Sequence, residues 1–119
     1  VEVNTDRVLS EAKKKVLQLA EGYTPPVPRE VHVLGRAGLS TLYAAINEFY
    51  LGKYMSDYDV EVSRHVAYIL CGGDLTGEQK VSEQYLLDLE REAFLALLKN
   101  PKTQERIQYT LMNNKPLRN

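Results

Sequence analysis

Residues 31–38 read Val31-His32-Val33-Leu34-Gly35-Arg36-Ala37-Gly38, an extended apolar run that meets spaced glycines and then a helical pattern. A dinucleotide-binding turn of the form G-x-G-x-x-G needs its glycines for a tight turn, for close approach of the backbone to pyrophosphate and for helix–strand packing. Gly35 and Gly38 stand where the last two belong, but Val33 occupies the place of the first. Asp57 and Asp59 lie near the spacing of a ribose-binding acid, yet no second strand pattern precedes them. One strand cannot make a parallel sheet. The run therefore reads as a turn whose glycines serve backbone geometry or helix-start packing, and no local nucleotide site follows from it.

Outward from this turn the chain is helical. On its carboxyl side Leu39, Leu42, Tyr43, Ile46, Phe49, Tyr50 and Tyr54 form a wide apolar stripe at helical spacing. Ser56-Asp57 then restarts the chain, and Tyr58, Val62, Val66, Ile69 and Leu70 trace a further helix that Gly72-Gly73 stops. After an Asp74–Lys80 loop, Ser82 can cap a helix carrying Tyr85, Leu86, Leu89, Ala93, Phe94 and Leu97. Asn100-Pro101 ends it and opens another, because Asn caps well and Pro suits the first helical position. On the amino side, Asn4-Thr5-Asp6 caps a helix with Leu9, Ala12, Val16 and Leu19 on one face and Lys13, Lys14 and Lys15 around the other. Thr24-Pro25-Pro26-Val27-Pro28 forbids helix and makes a stiff spacer.

The fold expected is all-α: one helical domain over residues 1–119, with helices at 5–22, 39–55, 58–71, 82–99 and 101–113, a Pro-rich spacer at 24–34 and one short extended piece. A length of 119 residues allows one domain, since domains run to about 100–200 residues. With 15 Lys and Arg against 16 Asp and Glu, the chain lacks the basic excess that nucleic acid or an anionic membrane surface requires. No apolar run approaches the ~20 residues of a membrane span. One cysteine, Cys71, excludes an internal disulfide and fits a reducing compartment, so cytoplasm is expected. The chain opens on Val1 rather than Met, as expected of a processed protein or a part of a longer one.

The side chains offer little chemistry. Glu61 and His65 stand four apart on one helix face, but no motif supplies the third group that acid–base work needs. Cys71 ends an apolar stripe, where a thiol behaves as a small hydrophobe. His32, His65 and Cys71 do not make metal-ligand spacing. Asp88-Leu89-Glu90-Arg91-Glu92 is the solvated flank of its helix, and Tyr54 and Tyr58 sit at a helix junction, as interface anchors or as core edge. No catalytic or metal-binding residue is expected in this chain.

The last two helices carry a resemblance. Glu90-x-x-x-Phe94-x-x-Leu97, then Asn100-Pro101-Lys102-Thr103-Gln104-Glu105-Arg106-Ile107, then Lys115-Pro116, resembles the carboxyl-terminal end of the crotonase superfamily, the enoyl-CoA hydratases and isomerases. The longer run from Leu70-Cys71-Gly72-Gly73 through Asp88–Glu92 to Lys115-Pro116-Leu117-Arg118-Asn119 is closer to the tail of bacterial fatty-acid-oxidation proteins. These join a 3-hydroxyacyl-CoA dehydrogenase to an enoyl-CoA hydratase-like region. The helix around Ala12-Lys13, ending in Tyr23-x-Pro25-Pro26, also suits the helix after a crotonase core.

The resemblance implies a non-catalytic helical end of a β-oxidation enzyme whose parent chain uses NAD to oxidise 3-hydroxyacyl-CoA, and which also hydrates enoyl-CoA if its hydratase-like region is active. This end would aid domain or subunit packing, or cover the acyl-CoA site. The implied partners are the dehydrogenase and crotonase-like domains of the same chain, in a homo-oligomer. Neither NAD nor acyl-CoA would be held tightly by this part alone. The resemblance also places Lys115 where a lysine approaches a CoA phosphate. The competing expectation is a stand-alone helical protein-interaction module without CoA chemistry.

Overall fold

A computed structural model describes residues 4–119. About two-thirds of these residues are helical, in five α-helices: α1 Val8–Ala20, α2 Gly35–Leu51, α3 Asp57–Leu70, α4 Glu83–Leu98 and α5 Pro101–Asn113. The fold is mostly helical, as the apolar periodicity requires. A single 3-10 turn, Thr5–Arg7, precedes α1, and Asn4 accepts from the Asp6 N–H to cap it.

Two strands complete the fold. β1 (Glu30–Val33) pairs antiparallel with β2 (Gln79–Ser82), Val31 opposite Val81 and Val33 opposite Gln79. β1 is the short extended piece expected from the alternation over Glu30–Leu34, at the end of the 24–34 stretch. β2 was not expected, because Gln79-Lys80-Val81-Ser82 has one apolar residue and its pairing partner lies some 50 residues upstream. Ser82 closes the strand and caps α4, accepting from the Tyr85 N–H at 3.1 Å.

The helix boundaries show what the sequence signals leave out. α2 starts at Gly35, four residues before the expected Leu39, and no side chain caps it. The Gly35 N–H donates to the Cys71 carbonyl at 3.0 Å and the Arg36 N–H to that of Leu75 at 2.9 Å. The opening amides of α2 are thus satisfied by the loop after α3, which leaves no local cap for a sequence reading to find. α2 also ends early, at Leu51, while α3 starts with a full capping box: the Ser56 side chain accepts from the Asp59 N–H, and Asp59 accepts from the Ser56 N–H.

The core is small and sits where the ribbon meets α2, α3 and α4. Val33 is 1% exposed and packs on Gly72; Ile46, Ala67, Cys71 and Ala93 are also buried, and Tyr58 is buried at the other end of α3, against Thr103. A Cβ on Gly72 would stand 2.6 Å from Val33 Cγ2, and Gly72 and Gly73 have φ of +84° and +78°, so only glycine fits this turn. α4 is pinned to it by the Tyr85 hydroxyl, which donates to the Gly72 carbonyl at 2.8 Å.

α1 stands apart. None of its residues is buried, its apolar face is bare (Leu9 72%, Leu17 69% exposed), and residues 21–30 after it are exposed. The Cα radius of gyration is 22.0 Å, against about 13–14 Å for a compact chain of this length.

Candidate functional site

The residues singled out from the sequence are scattered. Glu61 accepts from the Asn100 side-chain amide at 2.9 Å and is not ion-paired with His65 among the described residues. Both line a shallow cleft of about 320 Å³ with Tyr43, Arg64 and Tyr68, where the Arg64 guanidinium lies 5.0 Å from the centre of the Tyr43 ring. Cys71 is buried, and burial raises its thiol pKa. His32 pairs instead with Glu78 at 2.7 Å, in the open. No cluster of His, Cys, Asp and Glu among the described residues could hold a metal ion. The two junction tyrosines part company: Tyr58 is buried and its hydroxyl bonds that of Thr103, whereas Tyr54 is 79% exposed.

The best-built concavity is a cleft of about 590 Å³ between the α2–α3 junction and the carboxyl-terminal tail. Its floor is Arg106 on α5. The guanidinium lies 4.4 Å from the Tyr58 ring centre, donates to Asp59 at 2.8 Å and donates to the Asn119 side-chain oxygen at 2.6 Å. The Asn119 amide nitrogen in turn donates to the Lys102 carbonyl at 3.1 Å and to Glu105 at 3.0 Å. The tail is thereby strapped along α5, which holds Pro116, Leu117 and Arg118 as one wall of the cleft. Lys53 and Tyr54, in the junction between α2 and α3, also line it.

Charge in the cleft is uneven. Asp59 is its only acidic side chain, and the Ser56 N–H, followed by Arg106, holds its pKa below the usual carboxylate range. Lys53 and Arg118 have no ion-pair partner among the described residues. Lys115 is exposed and does not line the cleft; its tail neighbours do. Lys53, Arg106 and Arg118 were not singled out from the sequence. Arg106 and Arg118 fall inside the quoted tail runs, but it takes the Asp59 contact of Arg106 and the strap made by Asn119 to bring them to one cleft with Lys53.

A second concavity, of about 430 Å³, is an apolar groove between α3 and α4. Val66, Leu70 and Phe94 line it and are 47%, 66% and 51% exposed, with His65 and Glu90 also in its wall.

Against known proteins, the chain is 38% identical over 120 residues to the probable 3-hydroxyacyl-CoA dehydrogenase of Bacillus subtilis (strain 168). The alignment covers 100% of this chain and 15% of that protein. The chain is thus similar to a small part of a much larger dehydrogenase. No protein-family model matches it, and no solved structure does. No helix among the described residues is long and apolar enough to cross a membrane.

Proposed function

We propose that this chain is the carboxyl-terminal helical part of a larger enzyme of fatty-acid β-oxidation that oxidises 3-hydroxyacyl-CoA to 3-oxoacyl-CoA with NAD. The observation that carries this reading is the 38% identity along the whole chain to a protein named as a probable 3-hydroxyacyl-CoA dehydrogenase, of which it spans only 15%. The tail runs quoted above support the finer reading that a crotonase-like region precedes this part.

The role of the part is packing. α1 has 13 residues and buries none of them, and a helix of that length is marginal in water unless a surface covers its apolar face. The rest of the enzyme supplies that surface, in a homo-oligomer in the cytoplasm. NAD and the catalytic groups belong to the other domains, and Lys115 reaches toward a CoA phosphate from the exposed end of the tail.

The test is to produce the full-length gene product and the 119-residue chain side by side and to follow NADH formation from NAD and 3-hydroxybutyryl-CoA. The full-length protein is expected to be active and the short chain inactive, and Lys115→Ala in the full-length protein is expected to raise KM for the acyl-CoA. A full-length protein without acyl-CoA-dependent NADH formation overturns the reading.

A further inference from the structure

We propose that the cleft between Lys53-Tyr54 and the strapped tail binds a ligand carrying adjacent phosphates on a flat ring, the chemistry of a nucleoside diphosphate. Three observations point to it, and they stand whether or not the chain is part of a dehydrogenase.

The first is where Lys53 sits. α2 ends in a Schellman motif: the Lys53 N–H donates to the Tyr50 carbonyl and the Tyr54 N–H to that of Phe49, both at 3.0 Å, and the Phe49 and Tyr54 rings meet edge to face at 6.2 Å. The left-handed position of that motif belongs to glycine, yet Lys53 holds it at φ +64°, while Gly52, one residue earlier, is in ordinary helical geometry. A side chain kept in a conformation disfavoured for L-residues marks a place where strain is tolerated for another purpose. Here it places an ammonium without an ion-pair partner at the rim of the cleft.

The second observation is charge. The lining side chains are Lys53, Arg106 and Arg118 against Asp59 alone, and the Asp59 charge is met by Arg106. Lys53 and Arg118 are left without an ion-pair partner among the described residues, one a point charge and the other a planar fork, both suited to phosphate oxygens. The four hydrogen bonds that join Asn119 to Arg106, Lys102 and Glu105 fix the tail backbone next to Arg118 against α5. The third observation is the Tyr54 ring, 79% exposed beside Lys53, which offers a face to a planar base.

The experiment titrates the 119-residue chain with pyrophosphate, ADP and adenosine, followed by calorimetry and by melting temperature. ADP and pyrophosphate are expected to saturate and to stabilise the chain, adenosine to do neither, and binding to weaken as salt is added. Lys53→Gly relieves the left-handed position, so it is expected to raise the melting temperature in the absence of ligand while weakening ADP at least tenfold. Lys53→Arg retains binding, and Arg118→Ala also loses it at least tenfold. Tyr54→Ala removes the preference for ADP over pyrophosphate. Absence of saturable binding by either phosphate compound, or unchanged affinity in both Lys53→Gly and Arg118→Ala, overturns the proposal. Equal affinity for pyrophosphate and ADP, untouched by Tyr54→Ala, overturns the nucleotide and assigns the cleft to free phosphate.

Discussion

At the scale of single residues, Asp59 has the most to do. It closes the capping box of α3 through the Ser56 N–H and it receives Arg106 from α5, so one carboxylate ties the start of one helix to the middle of another. Both contacts need the ionised form, and the folded-state pKa lies below the ordinary value. The sign follows: this stabilisation is fully present above the unfolded pKa of about 4 and is lost as pH falls through the lower, folded value. Asp59→Asn is expected to be less stable than the wild-type chain at pH 7 and to show a shallower loss of melting temperature between about pH 5 and pH 2. Parallel acid dependence in the two proteins would show that Asp59 does not carry it.

At the scale of elements, the double glycine after α3 is the hinge pin of the fold. Gly72 lets Val33 of β1 pack directly on its backbone, and its carbonyl receives Tyr85 of α4. Gly72→Ala meets both a left-handed φ and Val33, and is expected to cost about 2 kcal/mol or more, with a correspondingly lower urea midpoint. Gly77→Ala, with nothing within 4 Å of the added Cβ and no positive φ, is the control expected to change little.

The same elements show how far the sequence is legible. The caps Ser56, Ser82 and Asn100 act on amides two or three residues away, so the starts of α3, α4 and α5 fall within a residue of expectation. The start of α2 and the strand β2 depend on partners 36 and 46 or more residues distant, beyond any local pattern. The cleft is hidden for a like reason. Its cations come from the junction after α2, from α5 and from the tail, which the Asn119 side chain fastens to α5. Asp57 and Asp59, weighed as ribose acids, are instead claimed locally: Asp57 accepts from the Tyr50 hydroxyl at 2.6 Å and Asp59 completes its cap.

At the scale of the whole molecule, α1 and its spacer are separable from the body. No residue of α1 is buried, and residues 21–28 after it are exposed. A chain beginning at Thr24 is therefore expected to melt within about 2 °C of the 119-residue chain. It should also bind less of a hydrophobic dye and scatter as a particle with a radius of gyration well below 22.0 Å. A fall of 5 °C or more in the melting temperature would mean that α1 supports the body after all.

The ribbon has a consequence in time as well as in space. α2 and α3 are neighbours in sequence and α5 follows α4 directly, so these contacts can form early, over short loops. β1 and β2 are joined by closing a loop that holds both α2 and α3, and that pairing must wait until the helices between have formed or collapsed. On a ribosome, Glu30 acquires its partner only when Ser82 has emerged. Until that pairing closes, Val33 has not packed on Gly72, and this interval, rather than the finished fold, is when a chaperone would meet these residues.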